Sequence, residues 1–507
     1  MGMQRKKNRT KQVCSLAALL LMLITVFFCF SAAAAASQDE EQSNGTGKKY
    51  IIAMDTTFAP FEFEDSQGNR VGIDVELLEA IAKDQGFEYE ARAIGFDAAL
   101  QAVESGQADG ILAGCSITEE RQKKMDFSTP YFDSGISMAV SKDNDSIQSY
   151  EDLRGKKVAV KVGTEGATLA NKLSEQYGFS VVTFDDSANM YEDVKLGNTA
   201  ACFEDYPVLG YAISQDIGLK LVGEKEAGSS YGLGVKKGQN AELLQMFNDG
   251  LENVKASGEY QRILDSYISS GDGTAANVES NEGVNFFTLL GTTFPRFIQA
   301  AGVTLWITAV SLVFAVVLGL LFCALRLSKY KVLHAIARVY LWIIRGTPVI
   351  VQAFMIYFGI PKLFGFTMPV EVASIITLTL NAGAYLSEIF RSGIEAVDVG
   401  QMEAARSLGL PYMKTMQKVI LPQAARIVIP SVINQFIITL KDSSILSVIG
   451  LAELTKVGKA IVAQNLESFN TYLILAIYYL ILVSLLTALS AVVERRLSRG
   501  KLKGTSN

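Results

Sequence analysis

Arg121 has the shape to hold an anion. It closes the run Ala113-Gly-Cys-Ser-Ile-Thr-Glu-Glu-Arg121, and a planar guanidinium grips a carboxylate through two parallel N–H bonds where a lysine acts as a point charge. An anionic counterpart stands in Glu204-Asp205, behind the strand-like Ala200-Ala-Cys-Phe203. Taken alone, an arginine at a helix start reads as a surface salt bridge, and a carboxylate at a strand end as a solvated group. The turn Lys161-Val-Gly-Thr-Glu-Gly166 offers successive amides that cradle anionic oxygens. It lacks the Gly-Lys-Ser/Thr ending of an ATP-binding loop, an ending that occurs nowhere in the chain. No ATP-binding loop of that kind is therefore expected in this chain. The single histidine, His334, falls in a basic loop, so no histidine chemistry is expected. Cys14, Cys29 and Cys323 lie in apolar segments, and Cys115 and Cys202 read as small packed thiols, so the five cysteines form no disulfide framework. No catalytic residue, metal ligand or bound cofactor is expected.

Two very different halves must position these groups. Residues 37–284 hold 43 Asp plus Glu against 21 Lys plus Arg, a net of −22, whereas residues 285–507 hold 9 against 20, a net of +11. The overall charge of −6 thus hides an acidic soluble half and a basic, apolar one. Like charge repels phosphate, so nucleic acid is excluded as a partner of the acidic half. Ahead of both, Arg5, Lys6, Lys7, Arg9 and Lys11 precede an apolar run from Val13 to Phe30 and a string of alanines. Residues 1–36 read as a signal peptide or, uncleaved, an N-terminal anchor. Either places the following domain outside the cytoplasm.

From Lys48, short apolar strands alternate with amphipathic helices, which predicts an α/β domain over 48–270 with a largely parallel sheet. Tyr50-Ile-Ile-Ala-Met54 and Ala108-Asp-Gly-Ile-Leu-Ala113 read as strands, and Gly72 to Ala82 as a helix. The pattern restarts at Val158-Ala-Val160 and returns near Tyr231-Gly-Leu-Gly-Val235. Two lobes are implied, the second over about 143–228, joined by two crossings that make a hinge. Residues 271–284 have linker composition.

Asp55-Thr-Thr-Phe-Ala-Pro-Phe-Glu-Phe63, Gly72-Ile-Asp74, the Ala113–Arg121 run and Asp126-Phe-Ser-Thr-Pro-Tyr131 resemble the polar amino-acid binding proteins of ABC importers. That resemblance implies a two-lobed periplasmic-binding-protein-like (type II) fold. It implies that Arg121, joined by the hydroxyl and amide of Ser116, takes the carboxylate of an amino acid, that the Ala113 and Gly114 backbone lines the pocket, and that Asp205 takes the ammonium, while the turn that holds Thr164 offers amides to complete the carboxylate cage. It also puts Phe58 and Phe96 over the ligand's side chain and Asp55 and Lys161 at its far end. A carboxylate and an ammonium facing one amide suit glutamine, and this set looks closest to glutamine binders, with glutamate, histidine and arginine as alternatives that small changes in depth and charge would favour.

Residues 285–497 read as a membrane domain, with spans near 302–325, 341–360, 370–390, 424–443 and 471–493. Arg326, Lys329, Lys331 and Arg338 follow the first span, Arg391, Arg406, Lys414 and Lys418 the third, and Arg495, Arg496, Arg499, Lys501 and Lys503 the fifth. Basic loops face the cytoplasm, and all three clusters demand one orientation, with the C-terminus inside. Glu403-Ala-Ala-Arg-Ser-Leu-Gly-Leu410, with Val419-Ile-Leu-Pro-Gln-Ala-Ala425 behind it, resembles the EAA loop of ABC importer permeases, here about 400–425. In that family a separate ATPase docks on this loop. Glu403 offers it a charge, and Ala404, Ala405 and Gly409 leave room for a close approach. Arg345-Gly-Thr-Pro348, the run from Asn381 to Glu388, and Lys441-Asp-Ser-Ser444 resemble signatures of polar amino-acid permeases. Glu388 and Arg391 are open to two readings, a structural pair and a translocation role.

The resemblance implies an all-α, five-span ABC importer transmembrane domain fused behind its receptor in a bacterial plasma membrane. Its partners would be a cytoplasmic ABC ATPase subunit that uses ATP, a second permease copy in a homodimer, and a small polar amino acid. Two other classes carry the same binding fold. A ligand-gated channel would need a Thr-Val-Gly-Tyr-Gly filter, which is absent. An enzyme would need a catalytic acid or base in the cleft, for which Asp205 and Glu204 are the candidates.

Overall fold

The computed structural model describes residues 48–55, 57–65, 68–268, 285–465 and 468–499. The expected signal or anchor and the linker lie outside them.

The α/β half begins with β1 (Lys49–Met54), α1 (Ile73–Gln85), β2 (Glu88–Ala93), α2 (Phe96–Ser105), β3 (Gly110–Ile111) and β4 (Met125–Phe127). Helix α1 buries Ile73, Leu77, Leu78 and Ile81 along one side, the spacing of an amphipathic helix on a sheet. It stops at Gly86, whose left-handed φ of 72° turns its N–H back to the Ala82 carbonyl. Next come β5 (Phe132–Ser141), β6 (Lys157–Lys161), α3 (Glu165–Tyr177), β7 (Ser180–Phe184), α4 (Ser187–Lys195), β8 (Ala201–Asp205), α5 (Tyr206–Ser214), β9 (Leu219–Tyr231) and β10 (Gly234–Lys236). Helices α6 (Ala241–Ala256) and α7 (Glu259–Tyr267) close this half.

The strands form two five-stranded sheets, ordered β2-β1-β3-β10-β4 and β9-β5-β8-β6-β7. In the first, β1 and β3 run parallel while β10 is antiparallel to both β3 and β4. In the second, β6, β7 and β8 run parallel and β5 and β9 form an antiparallel edge. The second lobe starts earlier than the expected residue 143. Strand β5 pairs with β9 from Ser141 opposite Leu219 to Phe132 opposite Tyr231, and Ile136, Met138 and Val140 are buried in the second lobe's core. The crossings are therefore the short links β4–β5 and β9–β10.

The apolar half contains α8 (Phe286–Arg326), α9 (Lys331–Gly346), α10 (Val349–Phe354), α11 (Val370–Glu395), α12 (Val399–Ser407), α13 (Leu421–Asp442), α14 (Leu454–Asn465) and α15 (Ser468–Arg499). Among the described residues four helical segments are long and apolar enough to cross a membrane: Phe286–Arg326, Val370–Glu395, Tyr412–Ile449 and Ser468–Val492. The second span, expected as one run over 341–360, is instead the pair Lys331–Gly346 and Val349–Phe364, bent by 108°. Gly346-Thr347-Pro348 explains the break. Thr347 is extended at φ −121° and ψ 142°, as the residue before a proline prefers, and Pro348 brings no N–H. Gln352 repairs the end, donating from Nε2 to the Ile344 and Thr347 carbonyls at 2.8 and 3.0 Å. Beyond α10 the chain passes through a π turn, Met355–Gly359, and one more turn, Ile360–Phe364.

Helices α8 and α11 approach closely at two glycines. A Cβ on Gly319 would lie 2.8 Å from Leu386 Cβ, and one on Gly383 would lie 3.0 Å from Leu318. Small residues permit such packing where lipid gives no hydrophobic drive between helices.

Candidate ligand-binding site

The expected site residues from the two lobes meet at the crossings. Lys161, at the end of β6, forms a buried ion pair with Asp55, just past β1. Its ammonium also sits 5.2 Å from the centre of the Phe58 ring. Phe58 lies against the backbone of Gly114, where φ is +51° and a Cβ would come within 2.2 Å of the ring. Only glycine fits both demands.

Thr118 caps the one-turn helix Glu119–Gln122, its hydroxyl accepting from the Arg121 N–H at 3.2 Å. The guanidinium then lies 5.1 Å from the Phe96 ring centre. It donates to the Ser116 carbonyl in its own lobe at 2.8 Å and to the Gly163 carbonyl of the other lobe at 3.0 Å. Thr164 caps α3 and donates to the Lys161 carbonyl at 2.7 Å, so its hydroxyl is engaged within the turn. Ser116 bridges to Tyr231, and Ala113 is buried beside it. Asp205, at the end of β8, accepts from the Tyr231 hydroxyl at 2.5 Å. Asp55, Lys161, Arg121, Gly163 and Asp205 thus gather where the lobes meet, with Lys161 paired to Asp55 and Arg121 close enough to act on the charge of Asp205.

Charge is crowded here. Asp55, Glu62, Asp74, Glu204 and Asp205 are all buried, and Lys161 and Arg121 are the cations that act on Glu62, Glu204 and Asp205. Burial, then neighbouring Glu204, pushes the Asp205 carboxyl up to about 8. Burial also raises Glu204, with Lys161 pulling the other way, and Glu204 accepts from the Ser187 hydroxyl at 2.7 Å. For Lys161, burial favours the neutral amine, but Asp55, Glu204 and Glu62 outweigh it and hold the proton on. Glu62 is held well above the usual carboxylate range by burial, then by Asp74 and Asp55, and burial lifts Asp74 to about 6. Asp74 Oδ2 accepts from Gly114 N–H at 2.8 Å and the Tyr131 hydroxyl at 2.9 Å. Its Oδ1 and both Glu62 oxygens find no donor among the described residues. One proton kept on Glu62 supplies that donor, since two bare carboxylates cannot bond to each other.

Sequence assigns no role to Glu62, Gly163 or Tyr231, marks Asp74 only as part of a motif, and offers Glu204 only as a neighbour of Asp205 or an acid–base candidate. Glu62 stands inside a run that was noticed, but only burial reveals its protonation. Cys115 and Cys202 are buried and unpaired; Cys14 and Cys29 lie outside the described residues. Among the described residues no cluster of His, Cys, Asp and Glu could hold a metal ion.

At one end of the helical half, bonds to both lobes converge. Lys456 donates to the Ala93 carbonyl at 2.7 Å. Gln107 donates to the Phe366 carbonyl at 3.2 Å and accepts from the Met368 N–H at 2.8 Å. Arg296 pairs with Glu64. From the second lobe, Asn189 bonds Tyr472 at 3.2 Å. At the other end, after α11, lies α12, where Glu403 and Ala404 are exposed and Gly409 takes φ +82° to turn the chain. Ala405, expected to leave room for a partner, is buried within this chain. Leu408, Val399 and Tyr412 are exposed there instead. Glu388 is paired with Arg391 at 2.9 Å and also with Arg326, as the structural reading requires.

A two-lobed receptor for a small zwitterion, seated on a helical membrane domain, is the class of protein these features define. Residues 50–270 match the bacterial extracellular solute-binding proteins, family 3, and residues 311–499 match the binding-protein-dependent transport system inner membrane component. The chain belongs to the latter family and carries the former fused ahead of it. Its relatives include the probable amino-acid permease protein YxeN of Bacillus subtilis, 39% identical over 41% of this chain and 93% of the relative. The glutamine transport system permease protein GlnP of Escherichia coli is 37% identical over 40% of this chain and 93% of the relative. Among solved structures, substrate binding domain 2 of Lactococcus lactis GlnP, in an open conformation, is 42% identical over 45% of this chain and 98% of that chain, with a TM-score of 0.36. An ancestral arginine-binding protein bound to arginine is 39% identical over 44% and 98%, with a TM-score of 0.42.

Proposed function

We propose that this chain captures glutamine outside the cell and forms part of its path inward, driven by a separate ATPase. The observation that carries the ligand assignment is the cleft with Arg121 and Asp205 at one end and the Lys161–Asp55 pair at the other. A ligand carboxylate would bind Arg121 with the amide of Ser116, and its ammonium would bind Asp205. The far end sets a donor beside an acceptor, which suits a carboxamide. A cationic side chain would meet Lys161, which disfavours arginine.

Transport follows from the contacts to both lobes. Lobe closure moves Asn189 relative to Gln107, so a frame bonded to both fits one hinge angle better than others. ATP binding and hydrolysis by a partner at the Glu403 loop would then shift the path inward. In this reading the receptor side is extracytoplasmic, the Glu403 loop and C-terminus are cytoplasmic, the bent pair counts as a fifth crossing, and two permease copies form the pore. Fusion keeps the receptor at high local concentration.

Calorimetric titration of the full chain in detergent with glutamine, glutamate, histidine and arginine tests the ligand. Glutamine should bind tightest. Arg121→Ala and Asp205→Ala should each weaken it by about 10- to 100-fold, the range of a charged hydrogen bond. Two variants that bind like the parent would refute the site.

A further inference from the structure

A cavity of about 510 Å³ opens where α8, α9 and α11 meet, lined by Arg326, Arg338, Trp342, Arg345, Tyr385 and Glu388. Three guanidiniums therefore face one carboxylate. That carboxylate is already shared, since Glu388 also holds Arg391, which in turn pairs with Glu395. Arg345 reaches Glu388 only at 3.9 Å and rests 5.6 Å from the Tyr385 ring centre. Arg338 is exposed and forms no ion pair among the described residues. The cavity keeps an excess of positive charge that this chain does not neutralise.

The helix that supplies it is two-faced. On α9, Arg338, Trp342 and Arg345 share one stripe by spacing, and Val332, Ile336, Val339 and Ile343 form the next. These four apolar side chains and Trp342 are exposed, Trp342 at 75%. The 108° bend means that α9 and the following segment do not form one straight span. A basic, tryptophan-bearing amphipathic helix set off in this way matches segments that lie in a membrane interface. Phe322 stacks on Tyr340 at 3.9 Å and the Tyr340 hydroxyl donates to the Leu380 carbonyl at 2.7 Å, fixing α9 against α8 and α11.

We infer that this cavity is a headgroup site for an anionic phospholipid, with Arg338 and Arg345 taking the phosphate and the apolar stripe of α9 taking the acyl chains. A free anion would need only the first half of that surface. The adjoining exposed hydrocarbon favours a ligand that carries charge and chain together. The site is separate from the amino-acid cleft, and takes from the preceding reading only that this end of the bundle faces the cytoplasmic leaflet.

The chain has two tryptophans, so Trp306→Phe leaves Trp342 as its sole reporter. The full chain is placed in nanodiscs of phosphatidylcholine containing a minority of acyl-brominated phosphatidylglycerol or, in parallel, brominated phosphatidylcholine. Quenching of Trp342 should show about a tenfold preference for the anionic lipid, as expected for two arginines near a headgroup. Replacing Arg338 and Arg345 together by Gln should abolish the preference, while Lys at both should retain most of it. The reciprocal Trp342→Phe chain, reporting through Trp306, should show none. Should the Gln pair fail to fold, Arg338→Gln alone should lower the preference by several-fold. Equal quenching by the two lipids, or a preference that survives in the Gln variants, would overturn the site. No quenching by either lipid would mean that a second copy covers the face, and would overturn it too. So would a saturable change in Trp342 emission on adding inorganic phosphate to pure phosphatidylcholine discs, lost in the Gln pair, which would assign the cavity to a free anion.

Discussion

Asp205 is asked to receive an ammonium while burial and Glu204 favour its protonated form. A proton and the ligand's ammonium therefore compete for the same oxygens. Below about pH 8 the proton gains, so affinity should fall by about tenfold or more between pH 8 and pH 6, and calorimetry in two buffers should detect proton release on binding. A flat profile would contradict the assignment of Asp205. Glu62 carries the opposite consequence for stability. Its carboxyl is raised in the folded protein, so folding binds a proton that unfolding releases. Its contribution is complete below the usual glutamate value of 4.5 and is lost as pH rises toward the native value. Glu62→Gln should flatten this decline in thermal scans of the full chain. Arg121 and Asp205 were legible in sequence because their types and neighbours are distinctive. The Glu62 proton was not, because it depends on three chain segments folding around one carboxylate. The burial of Ala405 is hidden for a related reason: a small residue looks the same in sequence whether it lies at a surface or inside.

At the scale of elements, the strand and helix order of the two lobes follows from alternation and from glycine stops such as Gly86. The start of the second lobe does not, because β5 reads as a strand wherever the boundary falls and only its pairing with β9 assigns it. The bend after α9 was written in Gly346-Thr347-Pro348 but hidden by the continuous apolar run around it. Hydropathy averages over the residues that break a helix. Gln107 illustrates what sequence withholds altogether, since its two bonds reach Phe366 and Met368 across some 260 residues of chain. Gln107→Ala should leave glutamine affinity within about twofold, because it lies outside the cleft. Uptake should fall by up to about 30-fold for two lost hydrogen bonds at roughly 1 kcal/mol each. Calorimetry and vesicle uptake on one preparation separate the two effects. A variant that loses binding and transport together would place Gln107 in the receptor site instead.

For the whole molecule, an acidic receptor and a basic membrane half sit in one chain that contains no ATP-binding motif. The charge split and the family match make this division readable without coordinates. The bonds that join receptor to permease come only from the fold. Glu403→Arg should leave ligand affinity unchanged and cut ligand-stimulated ATP hydrolysis by the added ATPase by about tenfold or more, as charge reversal at an interface costs several kcal/mol. The most direct test is uptake of radiolabelled glutamine by vesicles holding this chain, with ATP, with and without the ATPase subunit. Accumulation only when the ATPase is present, and none with Asp205→Ala, is the predicted result. Accumulation against a gradient by this chain alone would contradict the account.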